Sequence, residues 1–90
     1  MTLEICDTEI EAGDELHITI HTGDKTKKLP LTVRSVDAGL YAHAILEYDG
    51  KKFGTIRPEY EHRDGPVFNQ LVGAKGDDTK THELLDVEVV

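Results

Sequence analysis

The sequence predicts an all-β protein with room for one short helix: a small antiparallel barrel or half-barrel of roughly five to six strands, the size of an SH3, Sm or OB barrel. Three observations predict it. Residues 14–58 read almost without a break as four strands joined by tight turns. The stretch ELHITIHT from Glu15 alternates cleanly, with Leu16, Ile18 and Ile20 on one face and His17, Thr19 and His21 on the other. Asp49-Gly50 is a strong two-residue hairpin signal, because a type I′ turn needs positive φ at both central positions.

Taken in order, residues 2–6 make an N-terminal strand with Leu3 and Ile5 on one face, and Ala12-Gly13-Asp14 reads as a turn. Gly23-Asp24 opens a polar loop through Lys28, and a second meander strand covers 29–37, with Pro30 suiting an edge or an entry position. A two-residue loop at Ala38-Gly39 pairs Asp37 with Leu40 and sets Val33 opposite Ala44 and Leu31 opposite Leu46, apolar against apolar. The Asp49-Gly50 turn sets Leu46 opposite Phe53 and Glu47 opposite Lys52. The fourth strand ends near Pro58. Beyond it, Gly65-Pro66 starts a short helix with Phe68, Leu71 and Val72 on one side and Gly73 as its stop. Residues 73–81 are a polar loop, and 82–90 alternate again with Leu85, Val87 and Val89 on one face.

One face of the meander gathers Leu16, Ile18, Ile20, Leu31, Val33, Ala42, Ala44, Leu46 and Phe53 as the core, with Ser35 packing beside them. At ~1.5–3 kcal/mol per buried large side chain, that face stabilises a fold only if a second layer covers it. The terminal strands are the expected covers. The opposite face holds His17, Thr19, His21, Thr32, Arg34, Tyr41, His43, Ile45, Glu47, Lys52 and Ile56, a mixed surface rather than a polar one. Alternate turns of a meander lie at the same end, so Lys25, Lys27, Lys28, Lys51 and Lys52 gather at one end. Glu9, Glu11, Asp14, Glu15, Asp37, Glu59 and Glu61 gather at the other.

The chain has 90 residues, enough for one domain, with 18 acidic against 10 basic residues and a formal charge of −8. Such a charge repels phosphate backbones at long range and lowers the expectation of general nucleic-acid binding. The acidic excess, frequent Thr and absent Trp lean towards a salt-rich, halophilic cytosol. No stretch approaches a membrane span, and the acidic N-terminus lacks the basic and apolar parts of a signal peptide. A single cysteine rules out an internal disulfide, so a reducing cytoplasm is expected, with Cys6 as a small buried apolar residue rather than a reactive thiol.

Three histidines on one face invite a metal, and strand geometry argues against it. His17 and His21 are four residues apart, ~13 Å at ~3.3 Å per residue, whereas two nitrogens on one zinc each stand ~2 Å from it. A site there would need His62 or Asp64 folded across. A pH-dependent histidine surface suits the pattern better. His62-Arg63-Asp64 spells a kinase catalytic-loop tripeptide without its glycine-rich loop, paired lysine or DFG. His82-Glu83 lacks the second histidine of a zincin helix. Gly73-Ala74-Lys75-Gly76 fits a KH-type GxxG loop, but Asp77 and Asp78 follow it and would repel phosphate. No catalytic set and no cofactor is expected.

Within 18–59, Val33-Arg34-Ser35-Val36-Asp37 and Ile56-Arg57-Pro58-Glu59 stand where Sm-like RNA-binding barrels carry their two motifs, and the run faintly resembles that family. The family's glycine before the first motif and asparagine after its aspartate are missing, Pro58 replaces the signature glycine, and the C-terminal third has no counterpart. The resemblance therefore implies a small barrel and little more.

The functional expectation is a non-enzymatic, cytoplasmic module that binds a protein partner or itself through His17, His21, Arg34, Tyr41, His43 and Ile45. The alternative is a barrel that binds RNA or single-stranded DNA through Lys25, Lys27, Lys28, Lys51, Lys52 and Arg57, with Tyr41 and Phe53 available for base stacking. A third reading is a metal or small-ligand site near His62. No membrane partner is expected.

Overall fold

The structure is a computed structural model and describes residues 1–58, 65–72 and 78–90. Those residues form eight strands and no helix. Strands β3 (Glu15–Thr22), β4 (Lys25–Asp37), β5 (His43–Tyr48), β6 (Lys51–Arg57), β7 (Val67–Val72) and β8 (Asp78–Val89) close into an antiparallel barrel in sequence order, with β8 returning to β3. Strands β1 (Thr2–Ile5) and β2 (Thr8–Glu11) form a separate hairpin.

The predicted N-terminal strand is thus one arm of a hairpin rather than a barrel strand. Cys6 and Asp7 form its two-residue turn, both with positive φ (51° and 60°) although neither is glycine, so the usual turn residues do not advertise it. Cys6 is accordingly half-buried in a turn instead of lying in a strand. The hairpin folds against β4 and β8 at the end of the barrel where β3 begins, called the lower end here. It adds buried Leu3, Ile5 and Ile10 to the same core as Leu16, Ile18, Ile20, Leu31, Val33, Ala44 and Leu46. Gly13 N–H donates to the Val33 carbonyl and Val33 N–H to the Asp14 carbonyl, both at 2.8 Å, pinning the connection to β4.

Three register shifts account for most departures from the predicted pairing, since one extra residue moves every later side chain to the other face. The first leaves Arg34 unpaired. Together with a five-residue connection at 38–42 in place of the two-residue loop, it sets Val33 opposite Leu46 and Val36 opposite Ala44. Apolar still meets apolar, but Ser35 turns outward to solvent, and Leu40 and Tyr41 leave the strand for the loop. The second makes Phe53 the extra residue: Glu47 faces Lys52 as predicted, Leu46 faces Gly54 instead of Phe53, and Ile56 enters the core. Phe53 and Ala42 are only partly buried against that core. The third makes Leu85 the extra residue of β8, so Leu84 and Val87 are buried while Leu85 is exposed; Val89 keeps the face of Val87 but is exposed at the strand's end.

Two elements differ in kind. The polar loop predicted through Lys28 is only the Gly23-Asp24 turn, because Lys25, Thr26, Lys27 and Lys28 all pair with β3. The predicted helix is β7, where β-branched Val67 and Val72 and aromatic Phe68 suit a pleated strand. Its register brings the Phe68 ring over Gly54, where a built Cβ would stand 2.6 Å from the ring and from the Asn69 carbonyl. Strand β8 likewise begins at Asp78, before the predicted start at 82. Pro30 lies where β4 has β3 on one side and is not yet paired with β5, a position that needs no second ladder bond.

Candidate functional site

The six residues expected to form a partner face are not brought together. His21 pairs with Thr26 and His43 with Asp37, eleven residues apart on β4 and towards its opposite ends. His17 and His21 keep their spacing on β3, while His43 pairs seven residues along β4 from the partner of His17, further off than the predicted register made it. His17 and His21 instead face Glu88 and Glu83 on β8. Arg34 is occupied: its Nε donates to Glu47 Oε2 at 2.8 Å and its Nη2 to the Gly50 carbonyl at 3.4 Å. Ile45 is half-buried on β5.

Tyr41 belongs to a different arrangement. Leu40 is 90 % and Tyr41 78 % exposed, at the tip of the 38–42 loop. Asp37 Oδ1 accepts the Gly39 N–H at 2.8 Å, and His43 Nδ1 lies 2.8 Å from the Tyr41 carbonyl. A carbonyl only accepts, so the imidazole carries its proton on Nδ1 and ties the loop to β5. The loop lies at the lower end, with Asp14, Glu15 and the β1–β2 hairpin carrying Glu4, Asp7, Glu9 and Glu11. The predicted acids Glu59 and Glu61, together with His62, Asp64 and the GxxG turn, lie outside the described residues.

The β3–β4 turn opens at the other, upper end, whereas the β5–β6 turn lies beside Glu15, Leu16 and Val90, so the lysines expected to gather do not form one cluster. Strand β5 first pairs with β4 at Thr32, seven residues and ~23 Å along the strand from Lys25. Lys51 and Lys52 stand by Tyr48 and Glu47. Lys28 meets Glu88 at 3.7 Å across the surface. Arg57 is half-buried, and its Nε is enclosed with no partner among the described residues.

Sequence reasoning passed over the inside of this upper end. Directly paired residues share a face. Buried Ile20 pairs with Lys27 and with Leu84, which places Lys27 on the inner side. His82 and Lys80 precede Leu84 at intervals of two and pair with Phe68 and Gln70 of β7. A row of rings crosses the wall from solvent to this point: Tyr48, 55 % exposed, then Phe53, Phe68 and His82, with centroids 6.1, 6.0 and 6.3 Å apart in turn. His82 is 7 % exposed, and its Nε2 is buried with no hydrogen-bond partner among the described residues. Burial pushes its pKa below the ordinary 6.5, and Lys80 and Lys27 push the same way, against a backbone contact with His21 that raises it. The only sequence signal for this site was the odd polar residue in an apolar alternation, His82 before Leu84.

Two other features are weaker. A shallow groove of about 290 Å³ runs over the outer side of β3, β4 and β5, between His17, Pro30, Thr32 and Tyr48. The Cys6 thiol is pushed above its usual range by burial and then by Asp86 and Asp7, which disfavours the thiolate a nucleophile needs. No described group of histidine, cysteine and carboxylate side chains is arranged to hold a metal ion. Comparison of the chain with protein families, curated proteins and solved structures finds no match to any of them.

Proposed function

We propose that this barrel is a non-enzymatic interaction module that docks a protein partner, another protein or a second copy of the chain, through the Leu40–Tyr41 loop. The observation that carries the reading is a leucine and a tyrosine held almost wholly in solvent by a loop that is already ordered. Tyrosine is a common anchor of interfaces, and a preordered loop loses less conformational freedom on binding. The carboxylates around the loop favour a partner with an apolar pocket rimmed by basic residues.

A photo-crosslinking residue at position 41 should capture a discrete partner in cells, and one at position 52 should not. Leu40→Ser should abolish the adduct without changing the melting temperature. Sedimentation over a range of concentrations separates the two kinds of partner, since a second copy shows association that Leu40→Ser removes. Equal capture from both positions, or none together with a monomer at all concentrations, overturns the reading.

A further inference from the structure

We propose that β4 takes on an additional strand from an acidic, extended polypeptide along its Lys25–Leu31 half, on the side that β5 leaves. This edge lies at the opposite end of β4 from the docking loop, so the two sites stand or fall separately. Strand β4 outruns the ladder on either side of it. It pairs with β3 from Lys25 to Thr32, but with β5 only from Thr32 to Asp37. Each half therefore has one side without a barrel strand. On the 33–37 half the N-terminal connection fills that side, with Gly13 N–H donating to the Val33 carbonyl and Val33 N–H to the Asp14 carbonyl. On the 25–31 half no described strand does, and Lys25, Thr26, Lys27, Lys28 and Pro30 are all exposed.

Alternation fixes what that edge offers. Val33 turns both backbone groups towards the β3 side, so Leu31, Leu29 and Lys27 do the same. Thr32, Pro30, Lys28 and Thr26 turn theirs the other way, and Thr32 uses that direction to pair with Glu47. Lys28 and Thr26 each present an N–H and a carbonyl there, and Pro30 a carbonyl alone. An edge of this kind binds by strand addition: backbone bonds supply affinity and the flanking side chains select the sequence. A groove of about 290 Å³ lies where β5 turns away, lined there by Pro30, Thr32, Tyr48 and Asp49, and leaves room for the end of an incoming chain.

The flanking side chains specify an acidic strand. Lys25, Lys27 and Lys28 crowd this edge in a chain whose formal charge is −8. Lys28 meets Glu88 at 3.7 Å, while Lys25 and Lys27 have no ion pair among the described residues. A second copy is disfavoured as the occupant. Antiparallel pairing of β4 with itself, centred on Lys27 or Lys28, sets lysine directly against lysine, and like charges so placed destabilise a ladder. The same lysines attract glutamate or aspartate on an incoming strand. Half-buried Leu29 marks where an apolar side chain of that strand would gain cover. Edge lysines commonly keep sheets from joining; here they exclude a like copy and admit a partner of opposite charge.

The test uses the full chain and, as probe, an acetylated and amidated heptapeptide of alternating glutamate and valine, followed by NMR of the backbone amides. Saturable shifts are expected at residues 25–31, with slowed hydrogen exchange at the Thr26 and Lys28 amides. Replacing every glutamate of the peptide by lysine should weaken binding about tenfold or more. Methylating the peptide's backbone nitrogens should do the same with its charge unchanged. Lys28→Pro removes an outward donor that β3 does not use, so it should melt as the parent does and bind the peptide about tenfold more weakly. Should that variant fail to fold, the methylated peptide decides the matter. No saturable shift, shifts centred outside 25–31, or equal binding by the lysine or the methylated peptide would each overturn the proposal. A single-stranded oligonucleotide that binds these lysines more tightly than the peptide would overturn it in favour of a nucleic-acid surface.

Discussion

The two ends of the barrel solve the same problem in opposite ways. At the lower end the β1–β2 hairpin folds over the opening and seals it with Leu3, Ile5 and Ile10, leaving its carboxylates outside. At the upper end the inner layer finishes in Thr22, Lys27, Gln70, Lys80 and His82, and no comparable apolar lid is found among the described residues. Among the described residues the sealed end carries the carboxylates of the hairpin and the upper end carries Lys27 and Lys80. A closed barrel has two ends to complete, and here apolar burial is concentrated at one of them.

Truncation should break that contrast most visibly. Ile5→Ala and Ile10→Ala each remove a side chain from the sealed end and should cost ~2–5 kcal/mol, while Lys27→Gln and Lys80→Gln should stay within ~0.5 kcal/mol, as read from urea midpoints. Similar costs at both ends would erase the distinction. The next effect is acid sensitivity at the upper end. The folded pKa of His82 lies below its unfolded value near 6.5, so the unfolded chain binds the proton first. The stability contributed by the neutral ring is fully present above that value and is lost as pH falls through the folded pKa. His82→Phe, which keeps a ring against Phe68, should flatten this acid decline relative to the parent; parallel profiles would show that His82 does not cause it. The smallest effect returns to the sealed end. Asp7 holds φ 60° in the hairpin turn, so Asp7→Gly should relieve backbone strain and stabilise the chain by ~1 kcal/mol.

Strand β3, the Asp49-Gly50 turn and seven of the nine predicted core residues were legible because each is encoded locally, by alternation or by turn chemistry. The shifts at Arg34, Phe53 and Leu85 were not, because a bulge has no local signature and shows only in what the partner strand does. Ile56 and Ser35 changed faces for that reason. The helix read over β7 rested on helical spacing in a stretch too short to separate the two periods. The Cys6-Asp7 turn lacks the usual Asn-Gly or Asp-Gly pair, which hid the sealing hairpin. The candidate sites fared least well. The expected partner face depended on long-range register, and the setting of His82 depends on how strands far apart in sequence meet.

That dependence extends to how the molecule assembles. Five of the six barrel pairings join strands adjacent in sequence, whereas the seam between β3 and β8 joins the first barrel strand to the last. Closing so long a loop carries the largest entropic cost of any of these pairings. The N-terminal hairpin touches one side of it: Thr8 Oγ1 donates to the Val87 carbonyl at 2.9 Å, while the seam itself ends in Val90 N–H donating to the Glu15 carbonyl at 2.9 Å. The small hairpin at the lower end therefore also ties down β8 beside that seam, and its removal should loosen the barrel there.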